Sequence, residues 1–157
     1  MADDISTLRR ILGSAGTIAV VGLSAEWHRP SHFAAKYMQA KGYRVIPVNP
    51  RYESILGERC VARLEDVAES VDIVDVFRRT DDVVPIAEAA IRIGAKVLWM
   101  QIGVRNEAAA RMAEQAGLTV IMNRCPKIEY GRLHGELSWG GFNSRIITSK
   151  RRKLVLQ

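Results

Sequence analysis

Short apolar runs rich in β-branched residues alternate along this chain with longer stretches in which apolar residues recur at helical spacing. The runs are Thr17 to Val21, Tyr43 to Val48, Asp72 to Phe77, Lys96 to Gln101 and Leu118 to Met122. Each reads as a strand, and Thr17 to Val21 has the composition of one buried on both faces. Ahead of the first run, Asp4 to Leu12 reads as a short leading helix ending near Gly13. Ser31 to Lys41 carries Ala34, Tyr37 and Met38 at helical spacing and stops at Gly42. Ile55 to Gly57 reads as irregular and Leu64 to Ala68 as a short helix. Asp82 to Ile93 sets Val83, Ile86, Ala87, Ala90 and Ile91 on one face, with Pro85 tolerable in a first turn. Asn106 is placed to cap a helix that turns Ala109, Met112, Ala113 and Ala116 inward and closes at Gly117. Five strands separated by helices predict an α/β protein: a Rossmann-like doubly wound parallel five-stranded sheet in three α/β/α layers.

In such a sheet ligands sit beyond the carboxyl ends of the strands. Those ends read Gly22-Leu23-Ser24, Val48-Asn49-Pro50-Arg51, Phe77-Arg78-Arg79, Gln101-Ile102-Gly103 and Asn123-Arg124-Cys125. Each offers small, amide or cationic residues and none offers a carboxylate, which points to a long phosphorylated ligand. The first end is the most informative. Gly22 permits a tight turn, and Ser31 is placed to cap the following helix, whose N–H groups and positive dipole end attract anions. The loop lacks the full G-x-G-x-x-G spacing. At the second end, an NAD site has an acidic residue for the ribose hydroxyls; here stand Asn49, Pro50 and Arg51. That argues for a nucleotide with an extra ribose phosphate, which NADP and coenzyme A both carry.

A chain of 157 residues that is 48% apolar suits one compact domain with a full core. The acidic, polar N-terminus does not resemble a signal peptide and no apolar run approaches a membrane span, so the expected location is the cytoplasm. Cys60 and Cys125 lie far apart and form no C-x-x-C pair, so neither a disulfide framework nor a metal site is expected. The net charge of +6 favours an anionic partner, although part of it sits in Lys150-Arg151-Arg152-Lys153.

The ordered set V-V-G-L-S, R-P-S, G-Y-R-V-I-P-V-N-P, I-L-G-E, D-I-V-D-V-F-R-R, G-A-K-V-L-W-M-Q-I-G-V and N-R-C-P-K-I-E resembles the small stand-alone CoA-binding proteins. Their fold is similar to the N-terminal domain of the succinyl-CoA synthetase α subunit. The resemblance covers about Thr17 to Leu133 and implies coenzyme A as cofactor. It implies that Gly22, Leu23 and Ser24 approach the diphosphate, with Arg29 and Ser31 helping to neutralise it. Asn49, Pro50 and Arg51 would border the 3′-phosphate, and Phe77 and Arg78 the adenine or ribose. Gln101 and Gly103 would face the pantetheine, and Asn123, Arg124 and Cys125 complete the candidate set. A CoA-binding domain over residues 1–134, including the leading helix, would be followed by a C-terminal extension, 135–157. A synthetase also needs a domain with a phosphorylated histidine and a partner subunit. The expected function is therefore non-catalytic binding of CoA or an acyl-CoA for an unknown protein partner.

Other patterns weigh less. His28 and His32 flank the first loop and read as solvated, and His134 reads as an exposed residue near a chain end. Tyr37 and Lys41 match Y-x-x-x-K of short-chain dehydrogenases but fall on the first crossover helix, so the match reads as accidental. Cys125, beside Arg124 and Lys127, is the one candidate for chemistry, since positive charge lowers a thiol pKa; the alternative is an inert, partly buried residue. Cys60 reads as structural. In the extension, Trp139 and Phe142 suit packing on the domain or a second subunit, and the basic tail suits solvent or nucleic acid. An NADP-dependent enzyme and a nucleic-acid adaptor thus stand as alternatives to the CoA binder.

Overall fold

A computed structural model describes residues 4–133. The chain begins with α1 (Ile5–Ser14), capped by the Asp4 side chain accepting from the Thr7 N–H at 2.9 Å. It continues through β1 (Thr17–Val21), α2 (Pro30–Ala40), β2 (Arg44–Val48), the two-residue strands β3 (Ser54–Ile55) and β4 (Glu58–Arg59), and a 3-10 turn at Leu64–Asp66. Then follow β5 (Ile73–Val76), a second 3-10 turn at Thr80–Asp82, α3 (Val83–Arg92), β6 (Val97–Met100), α4 (Glu107–Gln115), β7 (Thr119–Ile121) and α5 (Pro126–Leu133). The five long strands form one sheet in the order β2-β1-β5-β6-β7, every pair parallel. The doubly wound α/β fold expected from the alternating pattern is the fold found.

Strand alternation divides the core between two faces. Ala19, Val21, Val74, Val76, Leu98 and Met100 pack with Val83, Ala87 and Ala90 of α3 and Ala109 and Ala113 of α4. Ile18, Val20, Ile73, Trp99 and Ile121 pack on the other side with Leu8 and Leu12 of α1, Ala35 and Met38 of α2 and Tyr130 of α5. Trp99, wholly buried, donates its Nε1–H to the Arg124 carbonyl at 2.9 Å. Tyr130 makes edge-to-face contacts with Tyr37 and Tyr43, with ring centroids 5.9 and 6.0 Å apart.

Several sequence expectations need correction. Ile55 to Gly57 is part of a tight hairpin: Leu56 and Gly57 hold φ of 54° and 77°, as a two-residue turn requires, and join β3 to β4. The strand that leaves it pairs Val61 with Val48, so the edge of β2 is covered. Ala116 is exposed rather than inward, because α4 ends at Gln115. Helix α5 was not expected: its buried positions Pro126, Glu129, Tyr130 and Gly131 follow helical spacing, but three of the four are proline, glutamate and glycine rather than apolar helix formers. His134 and the extension from 135 to 157, with Trp139, Phe142 and the basic run, lie outside the described residues.

The order β2-β1-β5 puts the reversal of strand order between β1 and β5. Gly22 occupies that point at φ 88°, and a Cβ there would stand 2.4 Å from the Phe77 carbonyl oxygen and 2.8 Å from Arg78 Cδ. Gly22→Ala is expected to destabilise the fold by on the order of 2–3 kcal/mol through backbone strain and this clash. Urea unfolding checks it, and a loss below about 0.5 kcal/mol would contradict the close approach.

Candidate functional site

The loops after β1, β2 and β5 enclose a two-lobed cleft at the reversal point. One lobe, about 480 Å³, is bordered by Gly22, Ser24, Arg29, Ser31, Asn49, Arg51, Phe77 and Arg78, together with Glu26, Pro30 and Tyr52. The other, about 720 Å³, lies towards α3 and has an apolar floor of Val21, Val48, Leu64, Ile86 and Ala89, with Pro50 at its side. Gly22, Asn49, Arg51 and Arg78 border both lobes. The lining combines an apolar floor with five arginines and with the carboxylates of Glu26, Glu65, Asp81 and Asp82, and each lobe is of the size that small-molecule sites occupy.

Hydrogen bonds set the shape of the first lobe. The Gly22 N–H donates to the Val48 carbonyl at 2.9 Å. Asn49, which is buried, donates from Nδ2 to the Leu23 carbonyl at 3.0 Å and accepts the Arg51 N–H on Oδ1 at 3.0 Å. One amide therefore ties the β1 loop to the β2 end and turns the backbone that presents Arg51. Leu23 is wholly buried beneath the loop, so any part it takes in a ligand site is through its backbone.

Ser31 departs from its expected role. The cap position of α2 belongs to Arg29, with no side-chain capping bond, and Pro30 opens the helix. The Ser31 hydroxyl accepts the Ser24 N–H at 3.0 Å, pinning the loop to the helix. Pro30 has no N–H, and those of His32 and Phe33 turn back to the Arg29 carbonyl at 3.0 and 3.2 Å. Anion affinity at this helix start thus rests on the Ser31 N–H, the helix dipole and nearby arginines.

The arginines are not equivalent. Arg29 donates from Nε to Glu26 at 2.9 Å, and that hydrogen bond holds the Glu26 carboxyl below its usual range. Arg78 lies 3.8 Å from Asp82, Arg63 lies 3.5 Å from Glu65, and Arg92 lies 4.0 Å from Glu88. Among the described residues Arg51 alone of the cleft arginines has no ion pair, Glu26 acting on it at longer range. Its charge is the one most available to an anion.

The remaining candidates form a second group at the ends of β6 and β7, and they border neither lobe. Gly103, at φ 86°, donates its N–H to Asn123 Oδ1 at 2.7 Å, and Asn123 itself takes φ 62°. Gln101 is buried and donates from Nε2 to Asp75 Oδ1. Arg124 donates to Glu129 Oε1 at 3.0 Å, and Glu129, also buried, is further paired with Arg132. Arginine does not activate Cys125. Burial pushes its thiol pKa up and the nearby Asp75 adds to the rise, outweighing the N–H groups of Ile128 and Lys127 and the Lys127 charge. Cys60 is likewise raised by burial. Tyr37 and Lys41 stand on the α5 side of α2, with Lys41 Nζ 5.4 Å from the Tyr37 ring centre, and neither borders the cleft.

Sequence reasoning missed Glu26 and Tyr52 in the first lobe, and the α3 wall of the second. It also missed Asp75, because a lone acid inside an apolar run gives no sign of its partner. The signal for Tyr52 was its place one residue beyond Arg51, on a strand end already singled out. Among the described residues there is no cluster of potential metal ligands, and no helix is long and apolar enough to cross a membrane.

The chain is a doubly wound α/β domain with a loop-lined cleft where its strand order reverses, the place at which such sheets hold ligands. Residues 16–131 match the family described as CoA binding domain, and the chain belongs to that family. It is 42% identical over 123 residues to the uncharacterized protein YneT of Bacillus subtilis (strain 168), covering 78% of this chain and 91% of that one. A hypothetical protein from Pyrococcus horikoshii OT3 superposes with a TM-score of 0.82 at 36% identity, covering 84% of this chain and 93% of that chain. A dinucleotide-forming acetyl-coenzyme A synthetase of Ca. Korarchaeum cryptofilum shares the fold, with a TM-score of 0.63 at 23% identity, over 74% of this chain and 28% of that chain.

Asp75 supplies a test of the buried polar pair. Burial pushes its pKa up to about 7 against the lowering effect of the Gln101 hydrogen bond. The folded state therefore holds a proton that the unfolded chain releases near 3.8. The contribution of Asp75 to stability is fully present below that value and is lost as pH rises through about 7. Asp75→Asn is expected to remove a decline of at most about 1.4 kcal/mol per pH unit across this window. Parallel pH profiles of chemical denaturation for the wild type and the variant would contradict the assignment.

Proposed function

We propose that this protein is a cytoplasmic, non-catalytic holder of coenzyme A, with the adenosine in the larger lobe, the diphosphate at the Gly22 to Ser31 loop and the 3′-phosphate at Arg51. The single observation that carries the reading is the construction around Asn49. Where an NAD site places a carboxylate for the ribose hydroxyls, the Asn49 amide is consumed by two backbone groups, and the residue it positions is the unpaired Arg51. A ribose bearing a phosphate fits that position, whereas an acidic residue there would repel it. The apolar floor next to it suits an adenine ring, and membership of the CoA-binding family favours CoA over NADP.

The absence of turnover in this reading is supported by Glu26 in the smaller lobe and by the position of Asp75. Glu26 is held by Arg29, whose hydrogen bond keeps its carboxyl below the usual range and so favours the ionised form over proton transfer, and Asp82 and Glu65 lie 3.8 and 3.5 Å from Arg78 and Arg63. Asp75, with its pKa near neutrality, is 3% exposed and borders neither lobe. The cofactor would be stored or presented to another protein.

Titration calorimetry of wild type and Arg51→Ala with CoA, dephospho-CoA and NADP tests the reading. A charge-assisted phosphate contact contributes about 1.5–3 kcal/mol. CoA affinity is expected to fall about tenfold or more in the variant, with dephospho-CoA binding little changed. Equal binding of CoA and dephospho-CoA by the wild type would contradict the 3′-phosphate site, and heat from NADP alone would contradict CoA as the ligand.

A further inference from the structure

We propose that the ligand is carried as an acyl thioester and that the far end of the sheet edge holds its apolar acyl chain. The inference rests on CoA occupying the cleft as described above. Large apolar side chains are exposed where no folding requirement places them, and they collect at one edge. Among the described residues five are substantially exposed: Ile5, Trp27, Phe33, Ile102 and Ile128. Four of these lie on the loops that leave the carboxyl ends of the strands or on the first turns of the helices that follow. Trp27 (72% exposed) is in the β1 loop, Phe33 (47%) in the first turn of α2, Ile102 (59%) directly after β6 and Ile128 (41%) in the first turn of α5.

Phe33 and the α5 start are adjacent. Lys127 Nζ stands 5.8 Å from the centre of the Phe33 ring and 5.7 Å from that of Tyr37. The Lys127 stem thereby spans from α5 to α2 and adds aliphatic surface between them. Ile102 neighbours Gly103, whose N–H reaches Asn123 at the end of β7, two residues before α5 enters through Cys125 and Pro126. The apolar residues thus follow the outer loops from β6 through β7 to α5 and on to α2.

Reach connects this rim to the cleft. From β1 to β7 the sheet crosses three interstrand spacings, about 14 Å in all. The pantetheine arm has as many chain bonds between its phosphate oxygen and its sulfur as about four residues of backbone, an extended span of at most ~14 Å. The opposite direction is closed, since the chain leaving the β3–β4 hairpin covers β2. With its diphosphate at the β1 loop, an arm of at most this length crossing the ends of β5 and β6 brings the sulfur beside the α5 start, where the chain after β7 turns back over β6, and a chain on that sulfur lies against Ile102, Ile128 and Phe33. Burying methylene groups against these side chains removes apolar surface from water on both partners.

The test is calorimetric titration of the purified chain with CoA, acetyl-CoA and octanoyl-CoA, and of Phe33→Ser and Ile102→Ser with CoA and octanoyl-CoA. Octanoyl-CoA is expected to bind about tenfold tighter than CoA, with acetyl-CoA close to CoA. Each variant is expected to lose most of that gain while keeping the wild-type affinity for CoA, which also shows that the variant is folded. Wild-type binding of CoA with no gain from the octanoyl chain would overturn the acyl site and leave the cofactor reading standing. A gain that survives both substitutions would overturn the assignment of the rim. Failure of every thioester and of CoA itself to bind would overturn the cofactor reading, and the acyl site with it.

Discussion

The cleft depends on how closely the turn after β1 approaches the end of β5. Gly22 sits against the Phe77 carbonyl where no side chain fits, and its N–H is held by the Val48 carbonyl. The Asn49 amide holds the next residue of the loop. Three strand ends are thereby joined around one glycine at the reversal of the sheet. Everything attributed to the site, including the direction of Arg51, the position of the α2 start and the separation of the two lobes, follows from that junction.

Charge then divides the labour among otherwise similar residues. A protein with a net charge of +6 has cations throughout its surface, so cations at strand ends are by themselves weak evidence of a ligand. Pairing discriminates among them. Arg29, Arg63, Arg78 and Arg92 have carboxylate partners. Arg51 has none among the described residues and is oriented by a buried amide. On the other face the same fold holds a buried acid against a buried amide, Asp75 on Gln101, away from the cleft. That pair costs desolvation that one hydrogen bond offsets only in part, which is why the acid retains its proton to near neutral pH.

The fold was legible because parallel strands buried on both faces leave nearly continuous apolar runs, and all five stood out although Asp75 interrupts that of β5. Gly22 and the Asn49-Pro50-Arg51 end were legible because backbone geometry and ribose chemistry each demand particular residue types. The role of Ser31 was not: a serine at a helix start reads as a cap until Pro30 is seen to open the helix and the hydroxyl to face Ser24. Helix α5 was hidden because its buried face includes a proline, a glycine and a glutamate held between two arginines. The β3–β4 hairpin was hidden because its strands are too short to show alternation. For Cys125 the structure agrees with the inert, partly buried alternative, because Arg124 turns to Glu129 and burial outweighs the Lys127 charge.

The most direct measurement is amide chemical-shift mapping of the protein on addition of CoA. With CoA in the cleft, the largest shifts fall at Gly22 to Ser24, Asn49 to Tyr52 and Phe77 to Arg79, the loops that meet where the strand order reverses. Shifts confined to the opposite edge, around Gly16, Asp72 and Lys96, or no shifts at saturating CoA, would contradict it.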